Sequence, residues 1–115
     1  MTSSIGRVKS LAIGTMALAA ICLLNTPMHA QNTTTQNLYK AKCVVCHGPD
    51  GKGGPAGKKM GVRDFASPEV QKESDRELAD IIAKGKNKMP GYAKSLKPEE
   101  IKELVEYIRD LAKKK

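Results

Sequence analysis

The chain has 115 residues and a formal net charge of +8, with 40% hydrophobic residues, three Tyr, one Phe and no Trp. That length reads as one small domain. The basic balance favours anionic partners, but the chain offers neither a recognised nucleic-acid motif nor an aromatic stacking platform, which argues against that class of ligand.

Residues 1–30 read as an export signal rather than as part of the fold. Arg7 and Lys9 form a basic start, Leu11 to Leu24 is an uncharged apolar run, and Ala30 precedes a Thr- and Gln-rich stretch. The run is shorter than the roughly 20 residues that cross a bilayer. Met28 stands where a small residue is usual for cleavage after Ala30, so an uncleaved N-terminal anchor is the alternative. Cys22 follows Ala19-Ala20-Ile21, a poor context for lipid attachment, and reads as one more apolar residue of the run. Cleavage would leave residues 31–115 as one domain in the periplasm. Arg7 and Lys9 are the only charges removed, so that domain carries +6. A domain of this size buries a modest core and needs an additional staple.

The first helix is expected from about Thr35, which can cap its start, into Cys46, with Leu38 and Tyr39 on the packing face. Its end carries Cys43-Val44-Val45-Cys46-His47. Cys-x-x-Cys-His is the attachment pattern of c-type haem: two thiols three positions apart can each form a thioether with one porphyrin vinyl group. The imidazole that follows is then carried under the iron as an axial ligand. A thioredoxin-type dithiol would sit beside a βαβ pattern, and no strand-like alternation flanks this one. A structural zinc needs four ligands, while Cys43, Cys46 and His47 are the only Cys or His of residues 31–115. A plain disulfide has no use for the His. Export also fits covalent haem attachment, which bacteria carry out outside the cytoplasm, and disfavours a cytosolic thiol or zinc role. One covalently bound haem c would supply both the staple and the apolar centre that four aromatic residues cannot.

His47-Gly48-Pro49-Asp50-Gly51 breaks the helix, and the five glycines and Pro55 of Gly51 to Gly61 predict a loop. Ser74-Asp75-Arg76-Glu77 fits a capping box for a helix carrying Leu78, Ile81 and Ile82, with Gly85 as its stop. Gly85 to Tyr92 is a second loop. In the last helix Pro98 suits the first position and Glu99 and Glu100 the positive end of the dipole. Leu96 can staple onto Ile101, and Ile101, Leu104, Val105, Ile108 and Leu111 make one apolar stripe. The fold class is all-α.

A haem held by His47 leaves the second axial position open, and its occupant separates electron transfer from ligand chemistry. His29 lies in the signal segment, so Met60 and Met89 are the remaining soft ligands. Either could instead fill space beside the porphyrin. Met89 precedes Pro90, which restricts it to extended backbone in a loop between helices.

From Thr35 to Leu111 the chain resembles the class I c-type cytochromes, small soluble monohaem electron carriers. Tyr39, four residues before Cys43, and Leu104-Val105-Glu106-Tyr107 match the aromatic and the Leu-x-x-Tyr helix that pack together in that family. The Met-loop of the family commonly reads Met-Pro-x-aromatic, as Met89-Pro90-Gly91-Tyr92 does. The resemblance thus implies a cytochrome c-like fold of three to four short helices wrapped around the haem, with His47 and Met89 as axial iron ligands. It also implies that the carbonyl of Pro55 accepts a hydrogen bond from His47 Nδ1–H, which would fix the imidazole tautomer. Thr35 departs from the pattern, standing where the family often has Gly at the helix crossing.

The expected function is electron transfer rather than catalysis: an exported monohaem cytochrome cycling between Fe(III) and Fe(II) and passing single electrons between redox-partner proteins. Lys84, Lys86, Lys88 and Lys94 could ring an exposed haem edge and steer acidic docking surfaces towards it. The chain is expected to be monomeric. The alternatives are a module tethered to a membrane-bound oxidase or dehydrogenase, and a haem enzyme or gas sensor with an open axial site.

Overall fold

Helical spacing of apolar residues, with Pro, Ser and Gly at the boundaries, sets where the helices of this chain begin and end. The computed structural model describes residues 33–114. Six helices follow one another: α1 (Thr33–Lys42), α2 (Val44–His47), α3 (Pro55–Lys59), α4 (Pro68–Gln71), α5 (Asp75–Lys84) and α6 (Pro98–Lys113). The export segment, Cys22 and the cleavage position lie outside the described residues.

The all-α class is as expected, and α5 and α6 stand where their boundary signals place them. Ser74 Oγ accepts from the Glu77 amide at 3.2 Å, and Glu77 Oε2 accepts from the Ser74 amide at 2.7 Å, closing the capping box. Pro98 opens α6, and the Lys97 amide donates to Glu100 Oε2 at 2.7 Å. Leu96 and all five residues of the α6 stripe are buried in one core cluster with Tyr39, Phe65, Leu78, Ile82 and Tyr107. Arg109 crosses from α6 to Asp75 at 3.0 Å and fixes the start of α5 against it.

Two local expectations need correction. The first helix is two: Cys43, at φ −117°, interrupts the run, so α1 ends at Lys42 and α2 is a single turn. The Gly51–Gly61 segment is not all loop, because Pro55 nucleates α3 inside it. Among the described residues the longer helices α1, α5 and α6 are joined by the one-turn pieces α2, α3 and α4, in keeping with the few short helices expected.

The glycines of that segment serve close approach. Gly53 and Gly54 amides donate to the His47 and Cys46 carbonyls at 2.8 and 2.9 Å, laying the chain against α2. A Cβ on Gly57 would stand 1.8 Å from the Cys46 carbonyl oxygen, so α3 rests on the backbone of α2 with no room for a methyl group. Gly57→Ala must therefore push α3 off α2, an overpacking cost of about 3 kcal/mol. The expected fall in melting temperature is about 10–20 °C; a melting curve that coincides with the wild type would contradict this packing.

Next to this region α1 crosses α6. Tyr39 and Leu104, each 1% exposed, form the centre of the crossing, and the Tyr39 and Tyr107 rings lie 5.1 Å apart. Thr35 is buried there too and its Oγ1 donates to Glu103 Oε2 at 2.5 Å. A Thr thus serves at this crossing because its one polar atom is satisfied.

Candidate functional site

The elements around α2 enclose a cavity of about 220 Å³. Cys43, Cys46 and His47 line it from the α1–α2 junction, and Leu78, Ile82 and Leu104 line it from α5 and α6. Both methionine candidates reach the same space. They differ in setting. Met60 caps the end of α3 and is 41% exposed, whereas Met89 is half-buried and packs against the core cluster.

The Met89 loop is held by its own backbone. Lys86 and Met89 exchange amide–carbonyl hydrogen bonds at 3.1 and 2.9 Å, making a tight turn with Asn87 at φ 55°. Gly85, at φ 80°, passes so near the Met89 carbonyl that a Cβ would lie 2.5 Å from it. A glycine is required on both counts. The Tyr92 amide then donates to the Ile82 carbonyl at 2.9 Å, docking the end of the loop on α5.

Burial sets the protonation of the groups at the cavity. The Cys43 thiol is pushed up to about 11, chiefly by burial, so it stays protonated at neutral pH. Burial also holds the His47 imidazole below its ordinary value and hence neutral, the form that binds a metal. Tyr39 and Tyr92 hydroxyls are both raised, again chiefly by burial. Tyr39 remains a donor, and its hydroxyl bonds the Gly48 carbonyl at 2.7 Å, fixing the backbone one residue after His47.

Phe65 is the residue that the motif reading missed. Its ring stacks on the His47 imidazole with centroids 4.9 Å apart and planes at 27°. It reaches that position because Gly51 lacks a side chain, a Cβ there lying 2.4 Å from the Phe65 ring. The spacing of a lone Phe 18 residues after a His carries no local signal; only the pairing of the Phe65 amide with the Gly51 carbonyl, at 2.9 Å, brings the two together.

The bond expected between His47 Nδ1 and the Pro55 carbonyl is not made. Nδ1 is buried without a partner among the described residues, and Pro55 as the first residue of α3 turns its carbonyl along that helix. Pro55 acts here by starting the helix that delivers Gly57 to Cys46.

These residues fit covalent haem. One free thiol stands just before the single turn of α2 and the other within it, followed directly by a neutral imidazole with a buried, unpartnered ring nitrogen. The cavity walls are mainly apolar, with Lys42, Arg63, Lys86 and Lys88 among the lining residues, as suits a flat apolar macrocycle bearing carboxylates. Lys84 has a nearer partner, Asp80, at 3.2 Å.

Residues 30–108 match the family described as cytochrome C oxidase, cbb3-type, subunit III. Among solved structures the chain is similar to the KustC0563 c-type cytochrome, at 37% identity and a TM-score of 0.63, over 67% of this chain and 95% of that one. A point mutant of Kustc0563 is similar at 35% identity and a TM-score of 0.62, over 67% of this chain and 96% of that one. No curated protein matches the chain.

Proposed function

We propose that this chain, which belongs to the cytochrome c oxidase cbb3-type subunit III family and is a small class I-like c-type cytochrome, is an exported carrier of single electrons with Cys43 and Cys46 holding its haem c and His47 and Met89 its iron. The observation that carries the assignment is the convergence of all four side chains on one cavity. When bound, the haem supplies an iron that alternates between ferric and ferrous. The protein's part would be to keep His47 and Met89 in place through that change, so that little reorganisation accompanies each electron. His47 is held by the Phe65 ring and by the Tyr39 bond to Gly48, and Met89 by the turn across Lys86. Apolar walls from α5 and α6 would keep water from an iron held there, and a thioether ligand would favour its ferrous state.

Export follows from the basic start, the apolar run and Ala30. No helix among the described residues is long and apolar enough to cross a membrane. The test is the intact mass and visible spectrum of protein from the periplasmic fraction. The expected product begins near Gln31, carries one added haem that acid-acetone does not extract, and shows a low-spin six-coordinate spectrum. A full-length chain confined to membranes overturns the cleavage, and extractable haem overturns the attachment.

Partner docking follows from charge. Lys42, Lys86 and Lys88 line the cavity and Lys94 is exposed nearby in the chain, while Lys84 is already paired with Asp80. These lysines and the +6 balance of residues 31–115 steer acidic surfaces towards the site. Bimolecular electron transfer should therefore slow as salt rises and the screening length falls to about 8 Å at physiological ionic strength. A rate that is flat or rises with salt counts against the patch. The family match favours a second reading, in which the same domain passes electrons inside an oxidase assembly. Native mass of the detergent-solubilised protein separates the two, the carrier being monomeric and the module remaining with larger subunits.

A further inference from the structure

We propose that Tyr92 is a positioning residue for Met89, its side chain clasping the Met89 loop to the backbone beside Cys43 and so limiting the entry of outside ligands to the iron. The clasp rests on the reading of Met89 as axial ligand. Two contacts made by different parts of one side chain define it. The Tyr92 hydroxyl donates to the Lys42 carbonyl, 50 positions away, over 3.2 Å. Lys42 Nζ lies 5.9 Å from the centroid of the Tyr92 ring, within reach of a cation–π contact.

The acceptor exists because α1 stops where it does. A helix leaves its last carbonyls without intrahelical partners. Had the helix run on, the Cys46 amide would have taken the Lys42 carbonyl; it bonds the Cys43 carbonyl instead, at 3.2 Å. The break at Cys43 therefore presents a free carbonyl one residue from the first thioether position, and Tyr92 caps it.

The loop has no other hydrogen bond in that direction among the described residues. Gly85 and Tyr92 amides bond to Ile81 and Ile82 of α5, and Lys86 and Met89 bond to each other. Those bonds fasten the loop to α5, whereas the thiols and His47 are carried on the α1–α2 junction. Tyr92 is the hydrogen-bonded link between the segment that carries the sulfur ligand and the segment that carries the haem attachment. It also lines the cavity, so its displacement and that of Met89 open the same space.

The test uses ferric holoprotein and cyanide. Tyr92→Phe keeps the ring and its contact with Lys42 and removes only the hydroxyl. The expected result is an unchanged red Met–iron charge-transfer band at neutral pH with cyanide binding about fivefold faster, the factor for one hydrogen bond of ordinary strength. Thr35→Ala, which loses the Glu103 bond at the α1–α6 crossing, controls for general loosening and should leave the cyanide rate within twofold of the wild type. An unchanged rate in Tyr92→Phe overturns the clasp, as does an equal acceleration in Thr35→Ala. Met89→Ala is run in parallel: if it keeps the red band, the premise falls and the clasp with it. If it loses the band while Tyr92→Phe binds cyanide at the wild-type rate, the clasp alone falls.

Discussion

Met89→Ala should abolish the weak charge-transfer band at the red edge of the ferric spectrum, lower the midpoint potential and open the iron to cyanide or carbon monoxide. Met60→Ala should leave all three unchanged. Both sulfurs line the cavity, so proximity does not choose between them. Restraint does. Met89 packs against the core and is bracketed by reciprocal backbone bonds with Lys86, whereas Met60 ends a one-turn helix and is 41% exposed. A ligand that must stay in place through repeated redox cycles has to lose little side-chain freedom on binding, and a half-buried Met has already lost much of it. The fall in potential should be on the order of 0.1 V or more, within the roughly 0.8 V that axial ligands command. If Met60→Ala loses the band and Met89→Ala keeps it, the segment after α3 covers the iron instead.

Cys43→Ala should remove most of the holoprotein from the periplasmic fraction, whereas Cys22→Ala should leave the product unchanged. In the first case one thiol is no longer available to add across a vinyl group, its hydrogen passing to the neighbouring carbon as the thioether forms. The loss extends beyond one bond. The described core contains Tyr39, Phe65 and Tyr107 as its only buried aromatics, and its cavity of about 220 Å³ is lined by core side chains including Leu78, Ile82 and Leu104. Those apolar walls meet water when the macrocycle is not retained, so folding and attachment fail together. A Cys43→Ala chain recovered at wild-type yield with covalent haem would show that Cys46 suffices.

The haem c cofactor was legible in the sequence, as were the residues proposed to hold it, because their chemistry is confined to five consecutive residues. α5 and α6 were legible for a related reason: a capping box, an initial Pro and a stripe at helical spacing act through bonds between residues three or four apart. The sequence placed Tyr39 against Tyr107 only through the family resemblance, and the rings do meet. Reading composition alone misled at the glycine-rich segment. Glycine there answers a need for close approach, as the 1.8 Å at Gly57 shows, and it coexists with the helix that Pro55 starts.

Tertiary structure decided the rest. Thr35 meets Glu103 across 68 positions and Tyr92 meets Lys42 across 50, and neither pair has a local signature. Phe65 comes to His47 only because Gly51 lets its ring pass. The setting of Met89 against that of Met60 likewise depends on which segment the α5–α6 core draws in. Local sequence determines what a few neighbouring residues do by propensity and covalent reach. The contacts that hold a metal ligand still arise from packing between distant segments, where many weak interactions must agree at once.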